Sequence, residues 1–141
     1  MRECVFCRII AGAQHGAFVY QDERVAAFLD LNQAAPGHTL VAPRAHVAFW
    51  WELTDEDAAA IAVAARRIAQ ALRAAFDPPG ILLEQRNGRA AGQDVFHVHL
   101  HLIPRGGGYG PARADPPTLD RTAAQIRERI PNIEYPILNG E

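Results

Sequence analysis

Nine residues constrain this chain more than any others: Val95-Phe-His-Val-His-Leu-His-Leu-Ile103. The strict alternation of apolar residues and histidines has the period of a β-strand. On a strand, His97, His99 and His101 share one face, with successive Cβ atoms roughly 6–7 Å apart. Phe96, Val98, Leu100 and Leu102 then point the other way, into a core or under a helix. Half of the chain's six histidines fall within these few residues. Three readings follow: a solvated strand face, a three-histidine metal site of the kind zinc accepts, or nucleophilic catalysis. In the last, a neutral imidazole attacks phosphorus or an acyl carbon, and its neighbours hydrogen-bond the oxygens or protonate the departing group.

The surrounding composition narrows the chemistry. The sequence has 141 residues, the size of one domain with a real core. A formal net charge of −2 argues against a nucleic-acid or membrane-surface partner. No apolar run approaches the ~20 residues of a membrane span. The polar start Met1-Arg-Glu-Cys4 is unlike a secretory signal, so the expected location is cytoplasmic. The chain contains no serine and no lysine; its 14 basic residues are all arginine. Serine nucleophiles, Schiff-base lysines and the lysine-bearing phosphate loop are thereby excluded.

Apolar patterning predicts a short helix over the first ten residues, ending near Gly12, then a hairpin of strands 17–21 and 24–29. Pro36-Gly37 marks a turn into a third strand, His38–Ala42, stopped by Pro43. Thr54 is the expected N-cap of a helix running to Phe76, with Asp55, Glu56 and Asp57 in its first turn. Strands at Ile81–Gln85 and Val95–Ile103 follow, the last closed by Pro104. A glycine-rich segment from Gly106, expected to be mobile, leads to a final helix, Thr118–Ile130. Strands and helices without βαβ alternation indicate α+β with an antiparallel sheet.

The segment Gly92-Gln-Asp-Val-Phe-His-Val-His-Leu-His-Leu-Ile-Pro-Arg105 resembles the signature of the histidine triad (HIT) family of nucleotide hydrolases and transferases. Asp30, then Ala35-Pro-Gly-His-Thr-Leu-Val-Ala-Pro43, then His46 match the family's first half in order and spacing. The likeness spans Cys4–Arg105. It implies a HIT-like domain at 1–105 with a five-stranded antiparallel sheet, a long helix and a short N-terminal helix, paired as a homodimer. Residues 106–141 form a C-terminal loop, helix and tail outside the likeness. The resemblance makes His99 the nucleophile on the α-phosphorus of a purine nucleotide derivative, a phosphoramidate, mixed anhydride or dinucleoside polyphosphate. His101 and His38 line the phosphate site and tune His99. Gln93 and the Val95 amide fall where phosphate oxygens are bound, and Asp30 where the ribose hydroxyls are accepted. Phe6, Ile9, Phe28, Leu31 and Leu40 match an apolar slot for the base. A non-catalytic purine-binding module and a hydrolase with zinc on the triad are the competing classes.

The chain departs from the family pattern twice. Arg86 stands where relatives often carry Asn or Gln, and Asp94 where they often carry Ser or Thr. The only cysteines, Cys4 and Cys7, read as a redox pair, two plain thiols or half of a zinc site. The resemblance completes a structural zinc set with His46 and His97. The dimer contact is expected on helix 54–76, where Ala58, Ala62 and Ala69 permit close approach. Trp50 and Trp51 could anchor that interface, cover the pocket or pack in the core. His15 has no assigned role and is expected to be exposed.

Overall fold

The structure, a computed structural model, describes residues 3–112 and 114–130. The N-terminal helix α1 spans Val5–Ala11, and the Cys4 sulfur caps it by accepting from the Cys7 amide; left-handed Gly12 ends it. The hairpin follows as β1, Phe18–Gln21, and β2, Val25–Leu29. Next come β3, Thr39–Pro43, the long helix α2, Asp55–Phe76, and β4, Gly80–Gln85. The chain finishes with β5, Leu100–Arg105, and α3, Pro116–Arg127. The five strands form one antiparallel sheet in the order β1-β2-β3-β5-β4.

Each face of the sheet has its own apolar cluster. On one, Ile61, Ala65, Ile68 and Leu72 of α2 meet Val25, Ala27, Leu29, Val41, Leu100 and Leu102, with Leu119, Ala123 and Ile126 of α3 completing the core. On the other, Phe6 and Ile9 of α1 pack on Ala26, Phe28 and Leu40. β2 and β3 are thus covered on both sides, which explains why neither reads as a clean alternation. Thr54 caps α2 as expected, accepting from the Asp57 amide.

Three expectations need correction. The last strand does not run from Val95. Residues 95–99 lie outside the ladder, which starts at Leu100, paired with Val41 on one side and Gln85 on the other. β3 ends at Pro43, which has no amide hydrogen to offer a longer ladder, and Val98 donates instead to the Val47 carbonyl. Phe96, freed from the pleat, is not a core residue; it packs on Phe49 with Arg89 above its ring. Pro104 does not end β5, for it pairs with Ile81 beyond Leu102, the last residue matched to β3. The final helix starts at Pro116 rather than Thr118, with Asp115 as its cap, because proline suits the first helical positions. It ends at Arg127, and Ile130, just past it, is still buried.

Candidate active site

The residues with chemistry lie on the α1 face and form three adjoining groups. The first is built by the start of α1, the loop after β3 and the segment preceding β5. His97 is fully buried and donates from Nε2 to the Pro43 carbonyl at 2.8 Å. Its Nδ1 lone pair therefore faces the Cys4 and Cys7 sulfurs, each at 3.5 Å, and His46 Nδ1 at 3.2 Å. Cys7 Sγ lies 3.3 Å from His46 Nδ1. Tetrahedral zinc with bonds of ~2.0–2.3 Å needs ligand atoms roughly 3.3–3.8 Å apart. All four donor atoms fall within 4.8 Å of one another, so Cys4, Cys7, His46 and His97 fit that metal in kind and spacing. Burial holds His97 down at about 4, so its imidazole is neutral.

The second group is centred on His99, which is 5 % exposed. Its Nδ1 donates to the His97 carbonyl at 2.8 Å, fixing the tautomer and leaving the Nε2 lone pair free. The Phe6 ring meets it edge-on, with centroids 4.9 Å apart. Burial lowers its pKa, against the pull of that carbonyl. A desolvated neutral imidazole with one free lone pair is a nucleophile at neutral pH.

The third group is a hydrogen-bonded pair, one member just before β3 and one on β5. His38 Nε2 lies 2.9 Å from His101 Nδ1 and 3.3 Å from Asp30 Oδ2. The Ala34 amide donates to His38 Nδ1 at 3.2 Å, so the neutral ring carries its proton on Nε2 and passes it toward His101. His101 in turn keeps its proton on Nε2. Burial and the neighbouring His99 and His38 rings lower His101 to about 4. Asp30 is half-buried, with Oδ1 taken by the Asn32 amide at 2.9 Å and Oδ2 turned to the histidine pair.

A cavity of about 180 Å³ borders the second and third groups. Phe6, Ile9, Phe28, Leu31 and Leu40, the residues matched to a base slot, all line it, together with Asp30, Asp94, Val95, His99 and His101. Gln93 is buried and does not reach this space. Its side chain accepts from the Gly88 amide at 2.7 Å and donates to the Ala48 and Val95 carbonyls at 2.8 and 3.0 Å. It shapes the loop that carries Val95. The three triad rings do not converge on one point. Among the described residues, the ligand-like clusters are Cys4-Cys7-His46-His97 and Asp30-His38-His101. Arg86 is exposed; it is paired with Glu84 and lies 3.5 Å from the Gly92 carbonyl. His15 is exposed and pairs with Asp120 at 2.9 Å.

Sequence reasoning missed Gln33. It is buried, donates to the Asp30 and His38 carbonyls at 2.8 Å each, and accepts from the Gly37 amide at 2.9 Å. It thereby locks the turn that presents both Asp30 and His38. A lone glutamine in a polar loop carries no periodic signal.

An antiparallel α+β fold with buried imidazoles bordering an apolar cleft defines a protein equipped for histidine chemistry on a bound ligand. A family model described as HIT domain matches residues 11–108. The chain is 44 % identical over 136 residues to "Protein hit" of Bacillus subtilis, covering 90 % of this chain and 94 % of that one. A hypothetical histidine triad nucleotide-binding protein from Sulfolobus tokodaii superposes with a TM-score of 0.86 at 32 % identity, covering 98 % and 99 % of the two chains. A zinc-bound histidine triad family protein from Mycobacterium smegmatis gives a TM-score of 0.83 at 32 % identity, covering 95 % and 97 %. The chain belongs to the HIT family.

Proposed function

We propose that this protein is a purine-nucleotide hydrolase or transferase that cleaves at the α-phosphate through a nucleotidyl-histidine intermediate. The observation that carries this reading is the His99 ring, pinned through Nδ1 with its Nε2 lone pair free beside a base-sized apolar cleft. His99 Nε2 attacks the α-phosphorus, the bond to the leaving group breaks, and the leaving atom takes the Nε2 proton of His101 after that ring has picked up a proton from solvent, so that His101 returns to the neutral imidazole and can accept the proton of the attacking water. His38, hydrogen-bonded to His101 and flanked by Asp30, holds that ring in its donor tautomer. Water then attacks phosphorus, the P–N bond to His99 breaks, and a nucleoside monophosphate leaves. The backbone amide of Val95 supplies a fixed donor for the phosphoryl oxygens, and Asp30 Oδ2 is also the acceptor for the ribose.

Phosphoramidates, mixed anhydrides and dinucleoside polyphosphates of adenosine are the candidate substrates. Zinc on Cys4, Cys7, His46 and His97 is structural in this reading: it ties α1 to the segment before β5 and leaves His99 free. Residues 1–105 act as the catalytic unit, in a cytoplasmic homodimer. No described helix is long and apolar enough to cross a membrane.

The test is direct. Mixing enzyme with an adenosine phosphoramidate and quenching in alkaline denaturant retains an AMP adduct that acid releases, seen by mass spectrometry. His99→Ala forms no adduct and no product. Undiminished turnover in that variant overturns the proposal. Tight AMP binding without turnover in the unaltered protein favours the binding module instead.

A further inference from the structure

Across the sheet from the base slot, the row of active-site residues carries on past His101. Antiparallel partners share a face, and His101 stands between Leu40 of β3 and Glu84 of β4. Leu40 lines the base cleft, so Glu84 lies on the opposite flank of His101, its Cβ roughly 5 Å from that of the histidine. Glu84 is half-buried and is paired with Arg86, which begins the loop after β4. The Arg86 side chain lies across Gly92, where a Cβ would meet its Cδ at 3.2 Å and its Nη1 at 3.5 Å. Gly92 leads into Gln93, Asp94 and Val95, the last two of which line the cleft. The guanidinium is therefore seated between the cross-strand neighbour of His101 and the strap that carries the Val95 amide, away from the base.

From that seat its charge is felt in the site. Burial is the main cause of the lowered pKa of His99 and of His101, and the Arg86 charge adds to it at both rings. Asp94 and Asp30 oppose it at His99. A guanidinium offers five N–H donors. Among the described residues, Nη2 meets one oxygen of Glu84 and Nη1 makes a 3.5 Å contact with the Gly92 carbonyl, which leaves donors over. A phosphoryl group presents two oxygens to the same planar fork in parallel. Neither residue belongs to the triad, and Arg86 is one of the positions where the chain departs from the family pattern.

We infer that Glu84 and Arg86 form an exchangeable anion clamp: Arg86 rests on Glu84 until a nucleoside monophosphate group enters, then turns to its non-bridging oxygens. Glu84 takes the guanidinium back when the product leaves. The clamp rests on the proposed placement of the α-phosphate against His99. No covalent bond changes at either residue, so binding alone tests it.

Calorimetric titrations of AMP and of adenosine are compared in the unaltered protein, Arg86→Gln, Glu84→Gln and the double variant. The ratio of AMP to adenosine affinity isolates the phosphate, and unchanged adenosine binding reports an intact cleft. Arg86→Gln lowers the ratio about tenfold, the factor given by opposite charges at ~6 Å in an effective dielectric of ~40. Glu84→Gln raises it, because the guanidinium loses its competing carboxylate. In the Arg86→Gln background the same change gains less, since only direct repulsion is relieved. Rising salt weakens AMP binding more in the unaltered protein than in Arg86→Gln. A merely structural role would lower both affinities together and leave the ratio where it was. An unchanged ratio in Arg86→Gln, or a Glu84→Gln gain that is equal with and without Arg86, overturns the inference. If His99 forms no adduct while the ratio still falls in Arg86→Gln, the proposed chemistry fails and the clamp stands. Absence of AMP binding to the unaltered protein sinks both.

Discussion

At the scale of the residue, the site works by assigning one proton to each imidazole. His97 spends Nε2–H on Pro43, His99 spends Nδ1–H on His97, and His38 spends Nε2–H on His101, so each ring has one committed nitrogen and one defined role. His101, protonated from solvent, is then the donor to the leaving group. His101→Gln should lower kcat by about 10²–10⁴ for amine or alcohol leaving groups, the usual contribution of a general acid. It should cost far less for a nitrophenolate, which departs without a proton. Steady-state rates across a leaving-group series check this. The same ring also sets a stability limit. Folding holds His101 at about 4, below its ordinary 6.5, so the unfolded chain takes up a proton that the folded chain refuses. The contribution is fully present above pH 6.5, falls as pH drops from there toward about 4, and levels off below that. Urea melts of the metal-loaded protein should show this decline, shallower in His101→Asn. The triad was legible from sequence because alternation and imidazole chemistry coincide. Gln33 was not, because its work is done through backbone atoms brought together by the Pro36-Gly37 turn.

At the scale of the element, the sheet and helices were legible where apolar period and end signals agree, as in α2 with its Thr54 cap and acidic first turn. The start of β5 was not, because the alternation of Val95–Ile103 continues through a stretch whose hydrogen bonds go elsewhere. That departure has a use. Leaving the ladder lets His97 turn to Cys4 and Cys7 while His99 faces the cleft. The alternation gave the identities, and tertiary bonds from Pro43 and Val47 decided their directions. Helix α1 has only 7 residues, too short to be stable alone, and is held by Phe6, Ile9 and the Cys/His group. Removing zinc should therefore lower the melting temperature and the rate together, since Phe6 touches both His97 and His99. Calorimetry and turnover at rising chelator concentration test it. A rate that vanishes on chelation while melting is unchanged would place the metal in the reaction instead.

At the scale of the whole molecule, two regular elements, α2 and β4, present apolar residues to solvent. On α2, Ala62 and Val63 face outward, Val63 being 40 % exposed, while Ala58 and Ala69 are half-buried on its flanks. β4 is an edge strand, and its Leu83 is 56 % exposed. An open apolar edge invites pairing with another chain unless charge or proline blunts it; Gly80–Gln85 has no proline, and its one charge, Glu84, is paired with Arg86. A second copy of this chain, meeting it through α2 and β4, would cover both features and leave the cleft beside α1 open. Light scattering should then give about twice the 15.4 kDa of one chain. Val63→Arg together with Leu83→Arg should return the mass to that of one chain, because a guanidinium in an apolar contact is costly to desolvate. The altered chain should still bind AMP if each cleft is built from one copy. A mass of one chain for the unaltered protein at micromolar concentration would refute the pairing. Loss of AMP binding on dissociation would show that the partner helps to form the site.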